Sequence, residues 1–348
     1  MQITGKSVYY QPQSYRIPVF PVMVFIFSLI VAMGFATIAG AYHQPRWFGN
    51  VPIAEVQTIH LSPKEIQSFV AHPTSVTSVT FSPDGNSLLT TSSNGQIRLW
   101  DRQGTMTRSV ERDDSILWSG AFSPDGNLIL VGKQDGKAEI INRSGELVAQ
   151  LKGHKDWVNQ AQFSPQGDRV LTASSDGTAR LWNLEGKVIA ILKGHKGAVW
   201  SASFSPDGRF IATGGADNTV RLWDAQGILV NQFRGHSQWV RDVAFSPDGK
   251  TIGSASNDGT VRLWRLSGKS EVLRGHSSVV RRVRFSPDGQ LVASIGEDGT
   301  IRFWERNGRE VSKINAHKDW GIGLGFSPDG RQIVSSSADT TVKIWQLN

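Results

Sequence analysis

From residue 65 onward, short apolar and β-branched runs alternate with polar turn segments in a unit of 40–41 residues. Residues 195–233 show the pattern. One run ends at Phe204, a second covers Phe210–Thr213, a third Val220–Trp223 and a fourth Ile228–Phe233. Runs this short, rich in small, β-branched and aromatic residues, predict strands. Turn chemistry separates them. Ser205-Pro206-Asp207-Gly208 has proline second and glycine fourth, which suits a type I turn. The next turn is Asp217-Asn218, where most sister units have Asp-Gly, as at Asp176-Gly177 and Asp258-Gly259.

The third run of each unit closes on a tryptophan followed by a polar residue: Trp100-Asp101, Trp182-Asn183, Trp223-Asp224, Trp264-Arg265, Trp304-Glu305 and Trp345-Gln346, with Ile141-Asn142 in register. Repeats of this length bury their faces against one another in an array. Four antiparallel strands per unit make a propeller blade. The unit openings at 72, 113, 154, 195, 236, 276 and 317 number seven. The expected fold is therefore all-β, a seven-bladed β-propeller of four-stranded antiparallel blades.

Each unit also carries a polar set at fixed spacing. In the fourth it is His195, Thr213, Asp217 and Trp223; the same intervals return as His154/Thr172/Asp176/Trp182, His236/Ser254/Asp258/Trp264, His276/Ser294/Asp298/Trp304 and His317/Ser335/Asp339/Trp345. An indole N–H, a hydroxyl, an imidazole and a carboxylate can satisfy one another in an interior, provided the set is complete. On these residues the chain resembles the WD40 family over residues 65–346, and the resemblance implies that the set is that family's structural tetrad. The first unit has His72, Thr90, Asn94 and Trp100, with Asn94 in the aspartate position. The second departs further: Asp113, Val131 and Ile141 replace His, hydroxyl and Trp, and only Asp135 remains. Losing hydrogen-bonding partners together is nearly neutral, so blade two is expected to have an apolar interior.

The chain stops at Asn348, directly after the third strand of the last unit, while Ile66–Val70 precedes Ala71-His72 as an outer strand precedes each later unit. Ile66–Val70 is expected to supply the outer strand of blade seven and close the ring, removing an exposed edge. The expected propeller domain is 65–348.

Upstream lie a tail (1–18), an uncharged apolar stretch (19–42) and a Pro-containing linker (43–64). The stretch at 19–42 is long enough for one transmembrane helix. Lys6 and Arg16 precede it, and Arg46 and Glu55 cancel after it. This predicts a cytoplasmic N-terminus and an extracytoplasmic, membrane-anchored propeller. Ala39-Gly40-Ala41 offers the alternative of cleavage near Ala41 and secretion, against which stands an apolar run longer than a signal-peptide core. The absence of cysteine excludes disulfides and thiol chemistry.

Six of the twelve tryptophans end third strands and Trp47 lies in the linker. The other five, Trp118, Trp157, Trp200, Trp239 and Trp320, fall three or five residues after a unit opening, as Arg241 and Arg281 fall five after theirs. Such positions ring one mouth of the channel, and the resemblance implies that this face binds partners. Tryptophan and arginine are enriched in binding hot spots, so these seven residues are the candidate site for a protein or peptide. Packing between blades is the alternative role for any one indole.

The net charge of +7 does not point to nucleic acid. Arg98, Arg180, Arg221, Arg262, Arg302 and Lys343 each sit two residues before the Trp position and are spread around the ring rather than in a stripe. Arg281-Arg282-Arg284 is the one concentrated cluster; it suits an acidic peptide or an anionic lipid headgroup, though a solvated strand face is the leading expectation. Six of the eight histidines fall in tetrad positions, leaving His43 and His60, and Glu297 and Asp319 have no partner pattern. No metal set, cofactor signature or catalytic constellation stands out. The expectation is no enzyme, no cofactor and no small-molecule substrate.

Overall fold

A computed structural model describes residues 60–111 and 115–348. Within them, twenty-eight strands form seven sheets of four antiparallel strands each. Blade four shows the plan. Val199–Phe204 is innermost, followed outward by Phe210–Gly215, Thr219–Asp224 and Leu229–Arg234. The turn between its first two strands closes as its chemistry dictates. Gly208 N–H donates to Ser205 O at 2.9 Å, Ser205 Oγ donates to Asp207 Oδ1 at 2.6 Å, and Gly208 adopts a left-handed φ of 70°.

The ring closes through the array's first strand. Lys64–Val70 pairs antiparallel with Thr341–Gln346 and forms the outer edge of the sheet containing Gln332–Ser337 and Gly321–Phe326. Lys343 Nζ reaches Glu65 Oε2 at 2.9 Å across this seam. Phe69 packs with its centroid 4.7 Å from the Trp100 ring of blade one.

The core is divided like the sequence. Each of seven buried clusters is shared by two neighbouring blades, as where Leu171, Ala173 and Leu181 of blade three meet Val199, Phe204 and Trp223 of blade four. The tetrads sit inside the blades. In blade three, Trp182 Nε1 donates to Thr172 Oγ1 at 2.8 Å, His154 Nε2 lies 2.7 Å from the same hydroxyl, and His154 Nδ1 lies 2.8 Å from Asp176 Oδ2. Blades four to seven repeat this network. Burial alone would raise the Asp176 carboxyl, but bonds from His154 and Thr178 outweigh it and hold the group far below the ordinary carboxylate range. Burial keeps His154 below its usual value despite that carboxylate.

Blades one and two depart from expectation. In blade one, Asn94 does not take the aspartate's place against His72. Its Oδ1 accepts from Ser92 Oγ at 2.5 Å and Thr74 Oγ1 at 3.1 Å, while His72 Nδ1 faces Gln96 Oε1 at 3.4 Å. A neutral amide gives no charge attraction to overcome these local bonds. In blade two, Val131 and Ile141 are fully buried, but the interior is not apolar throughout. Lys133 Nζ meets Glu139 Oε1 at 3.2 Å, both side chains almost inaccessible, and Gln150 Nε2 donates to the same oxygen at 3.0 Å. Glu139 occupies the position two before Ile141 that holds arginine or lysine in the other blades. The cationic positions are therefore six, and blade two reverses the sign.

The tail, the apolar stretch expected to cross a membrane, the linker up to residue 59 and Asp113 lie outside the described residues. Among the described residues no helix is long and apolar enough to cross a membrane.

Candidate functional site: the Trp/Arg mouth

All seven innermost strands begin with a register shift against their neighbour, between the fourth and sixth residues after the unit opening. The fifth residue is the extra one: Thr77, Trp118, Asn159, Trp200, Arg241, Arg281 and Ile322. A bulge of this kind leaves a residue out of the ladder and re-aims its side chain. Here all seven are aimed at one channel mouth, where they line a cavity of about 470 Å³.

The third residue after the opening lies above them. It is tryptophan in blades three, five and seven, namely Trp157, Trp239 and Trp320, and each is about 40–50 % exposed. Each covers the bulge residue of the preceding blade. Trp157 stacks on Trp118 at 5.4 Å and 22°, Trp239 stacks on Trp200 at 5.7 Å and 24°, and the Arg281 guanidinium lies 5.2 Å from the Trp320 centroid. The candidate residues thus form three cross-blade pairs at every second interface. Blade one interrupts the series with Ser75, Thr77 and Ser93.

Arg241 belongs to the middle pair. Its guanidinium lies 4.4 Å from the Trp200 centroid and 5.1 Å from that of Trp239, and its Nε donates to Asn257 Oδ1 at 2.7 Å. Burial, together with Arg281 and Arg282 and against the pull of Glu297, lowers it to about 10, so it remains charged at neutral pH. Trp118 Nε1 and Trp200 Nε1 are buried without a hydrogen-bond partner among the described residues.

The arginine cluster is not a solvated strand face. Arg281 is ion-paired with Glu297, so Glu297 has a partner. Arg282 lies 3.7 Å and Arg284 2.5 Å from the carboxylate of Asp242, which is fully buried in the channel wall. Asp242 also accepts from Val283 N at 3.0 Å and Ser201 Oγ at 3.2 Å. A carboxylate removed from water needs such partners, and the two arginines turn inward to supply them. Asp319 lines the mouth and accepts from Trp320 N at 2.7 Å.

The structure brings six of the seven candidate residues to the cavity wall, with Trp239 stacked on Trp200 of the preceding blade. It adds Ser75, Thr77, Asn159 and Ile322, which a choice of tryptophan and arginine leaves out, and Arg282 from the arginine cluster. Their signal was the same offset of three or five from a unit opening, or six for Arg282.

Comparison with known families agrees with the repeat architecture. Residues 63–101 and 145–183 match the WD domain, G-beta repeat, and residues 183–348 match the IFT122 first beta-propeller. Residues 102–144, between the matched segments, include most of blade two, where the tetrad is lost. No curated protein matches the chain. The chain carries WD40 repeats, and propellers of such repeats are in general protein-interaction scaffolds.

Proposed function

We propose that the propeller is a non-catalytic interaction platform receiving a protein or peptide partner on its Trp/Arg mouth. One observation carries this reading: three exposed indoles converge on a single channel opening, each held by a side chain of the preceding blade. Rigid aromatic groups beside arginine provide large contact area at small entropic cost. The tetrads support the non-catalytic part. The five histidines paired with aspartate have side chains almost closed to solvent, and His72 is buried as well, so these imidazoles are kept from contact with a substrate.

The platform is further proposed to stand at a membrane, anchored by residues 19–42 with the propeller extracytoplasmic. The uncharged run and the preceding Lys6 and Arg16 support this. Protease digestion of intact cells or vesicles tests it: the propeller should be cut from the extracytoplasmic side only. Cleavage near Ala41, detected as a shortened mature chain, would replace the anchor with secretion.

Changing Trp157, Trp239 and Trp320 together to alanine should abolish crosslinked partner capture from intact membranes with the melting temperature retained. Undiminished capture would refute the mouth as the contact surface. A second reading is a scaffold subunit docking through blade sides. It is favoured by exposed Leu147, Val148, Ile189, Ile191, Leu229 and Val230 on the outer strands of blades two to four. In that case the triple variant is silent, and Ile189→Glu with Ile191→Glu disrupts the assembly.

A further inference from the structure

Resting on the mouth as a contact surface, we propose that it recognises a carboxylate on an acidic peptide segment, bound by Arg241, with a neighbouring apolar or aromatic residue laid against the indoles.

The charged groups of the cavity wall are unequal in number and in commitment. Arg241, Arg281 and Arg282 line it, against Asp319 alone. Arg281 is engaged by Glu297 and Arg282 by Asp242. Arg241 differs. Among the described residues it forms no ion pair, and its one hydrogen bond, from Nε to Asn257, leaves the terminal nitrogens of the fork without a partner. A planar guanidinium fixed at Nε and steadied by two indoles is organised in advance for a carboxylate, which accepts two parallel N–H bonds from it. Burial and the adjacent Arg281 and Arg282 weigh against its positive charge more than the nearby Glu297 supports it. An arriving anion relieves that strain, and an arriving lysine or arginine adds to it.

The same geometry argues against a cationic ligand. A group of indoles is in principle a receptor for a cation. Here the rings of Trp200, Trp239 and Trp320 already carry the protein's own guanidinium groups at 4.4–5.2 Å. Among the described residues the Trp118–Trp157 stack has no such cation, and it lies on the same cavity wall. It is the part suited to an apolar or aromatic neighbour of the carboxylate. A volume of about 470 Å³ admits a few side chains of an extended segment, not a folded domain.

The test is selection of a displayed library of random decapeptides against the full chain, followed by affinity measurement on synthetic peptides. Selected peptides should carry Asp or Glu beside an aromatic or aliphatic residue. Replacing that acid by its amide should weaken binding at least tenfold, and so should Arg241→Gln, with Arg241→Lys between the two. Amidating the peptide C-terminus distinguishes a terminal carboxylate from a side-chain one. A thermal melt of each variant separates loss of the site from loss of the fold. Neutral or basic binders that depend on Trp157, Trp239 and Trp320 would overturn the carboxylate proposal and leave the platform standing. Acidic binders undiminished by Arg241→Gln would overturn it as well. Binders indifferent to Arg241 and to all three indoles, or no binders at all, would remove both.

Discussion

The Arg281 guanidinium lies 5.2 Å from the Trp320 ring centroid and is at the same time ion-paired with Glu297. Blade six thereby orients an exposed indole of blade seven. Arg281→Ala should release that ring, seen as loss of near-ultraviolet circular dichroism. In a double-mutant cycle with Trp320→Ala, the stabilities should be coupled by about 0.5–1 kcal/mol. Additive effects would mean that the two side chains are merely neighbours.

Thr172 accepts the Trp182 indole N–H and contacts His154. Thr172→Val keeps the shape and strands two buried polar groups, which should cost about 2–4 kcal/mol in urea unfolding. The opposite change in blade two, Val131→Thr, places a hydroxyl where Ile141 offers no indole, and should also destabilise, by about 1–2 kcal/mol. A more stable Val131→Thr would contradict the apolar account of that position.

Burial, aided by the Arg98 charge and opposed by the Gln96 contact, lowers His72 to about 4. The unfolded chain therefore binds a proton first as pH falls. The contribution of His72 is complete above its unfolded value near 6.5 and is lost between there and pH 4, by about 3 kcal/mol. His154 and His236, also lowered by burial, act in the same direction. His72→Gln should flatten the fall in melting temperature across this window without abolishing it. An unchanged slope would show that His72 is not neutral in the fold.

Thr340 has a φ of 71°, in the turn position where most blades carry glycine. A β-branched residue there is strained. Thr340→Gly should therefore raise stability by about 1 kcal/mol, as a higher denaturant midpoint at unchanged slope, since Thr340 bonds through its backbone, accepting from Ala71 N at 2.9 Å and donating to Ser337 O at 3.3 Å, and glycine keeps both groups.

The blades were legible because every repeat states its own turns, and the tetrads because four residue types recur at fixed intervals. The mouth was partly legible. Offsets of three and five from each opening pick out residues that share one cavity wall, but the bulge that lifts the fifth residue out of the ladder is a backbone event with no residue type of its own. The pairing of Trp118 with Trp157 and of Trp200 with Trp239 follows from that lift combined with the rotation between blades. Two errors came from treating positions singly. Arg282 and Arg284 look solvated until Asp242, some forty residues earlier, is placed between them. Glu139 breaks the run of Arg and Lys at its position, and its partner Lys133 lies six residues earlier on the neighbouring strand.

The seam between Lys64–Val70 and Thr341–Gln346 joins segments made far apart in time. At roughly 5–20 residues per second, the earlier strand leaves the ribosome about a quarter of a minute to a minute before its mate exists. Six blades can assemble in order of translation while this one waits, its backbone groups open to any stray edge. Mutations that slow elongation or weaken the Phe69–Trp100 contact would prolong that wait, and the harm they do would be seen in yield from the cell before it was seen in the finished ring.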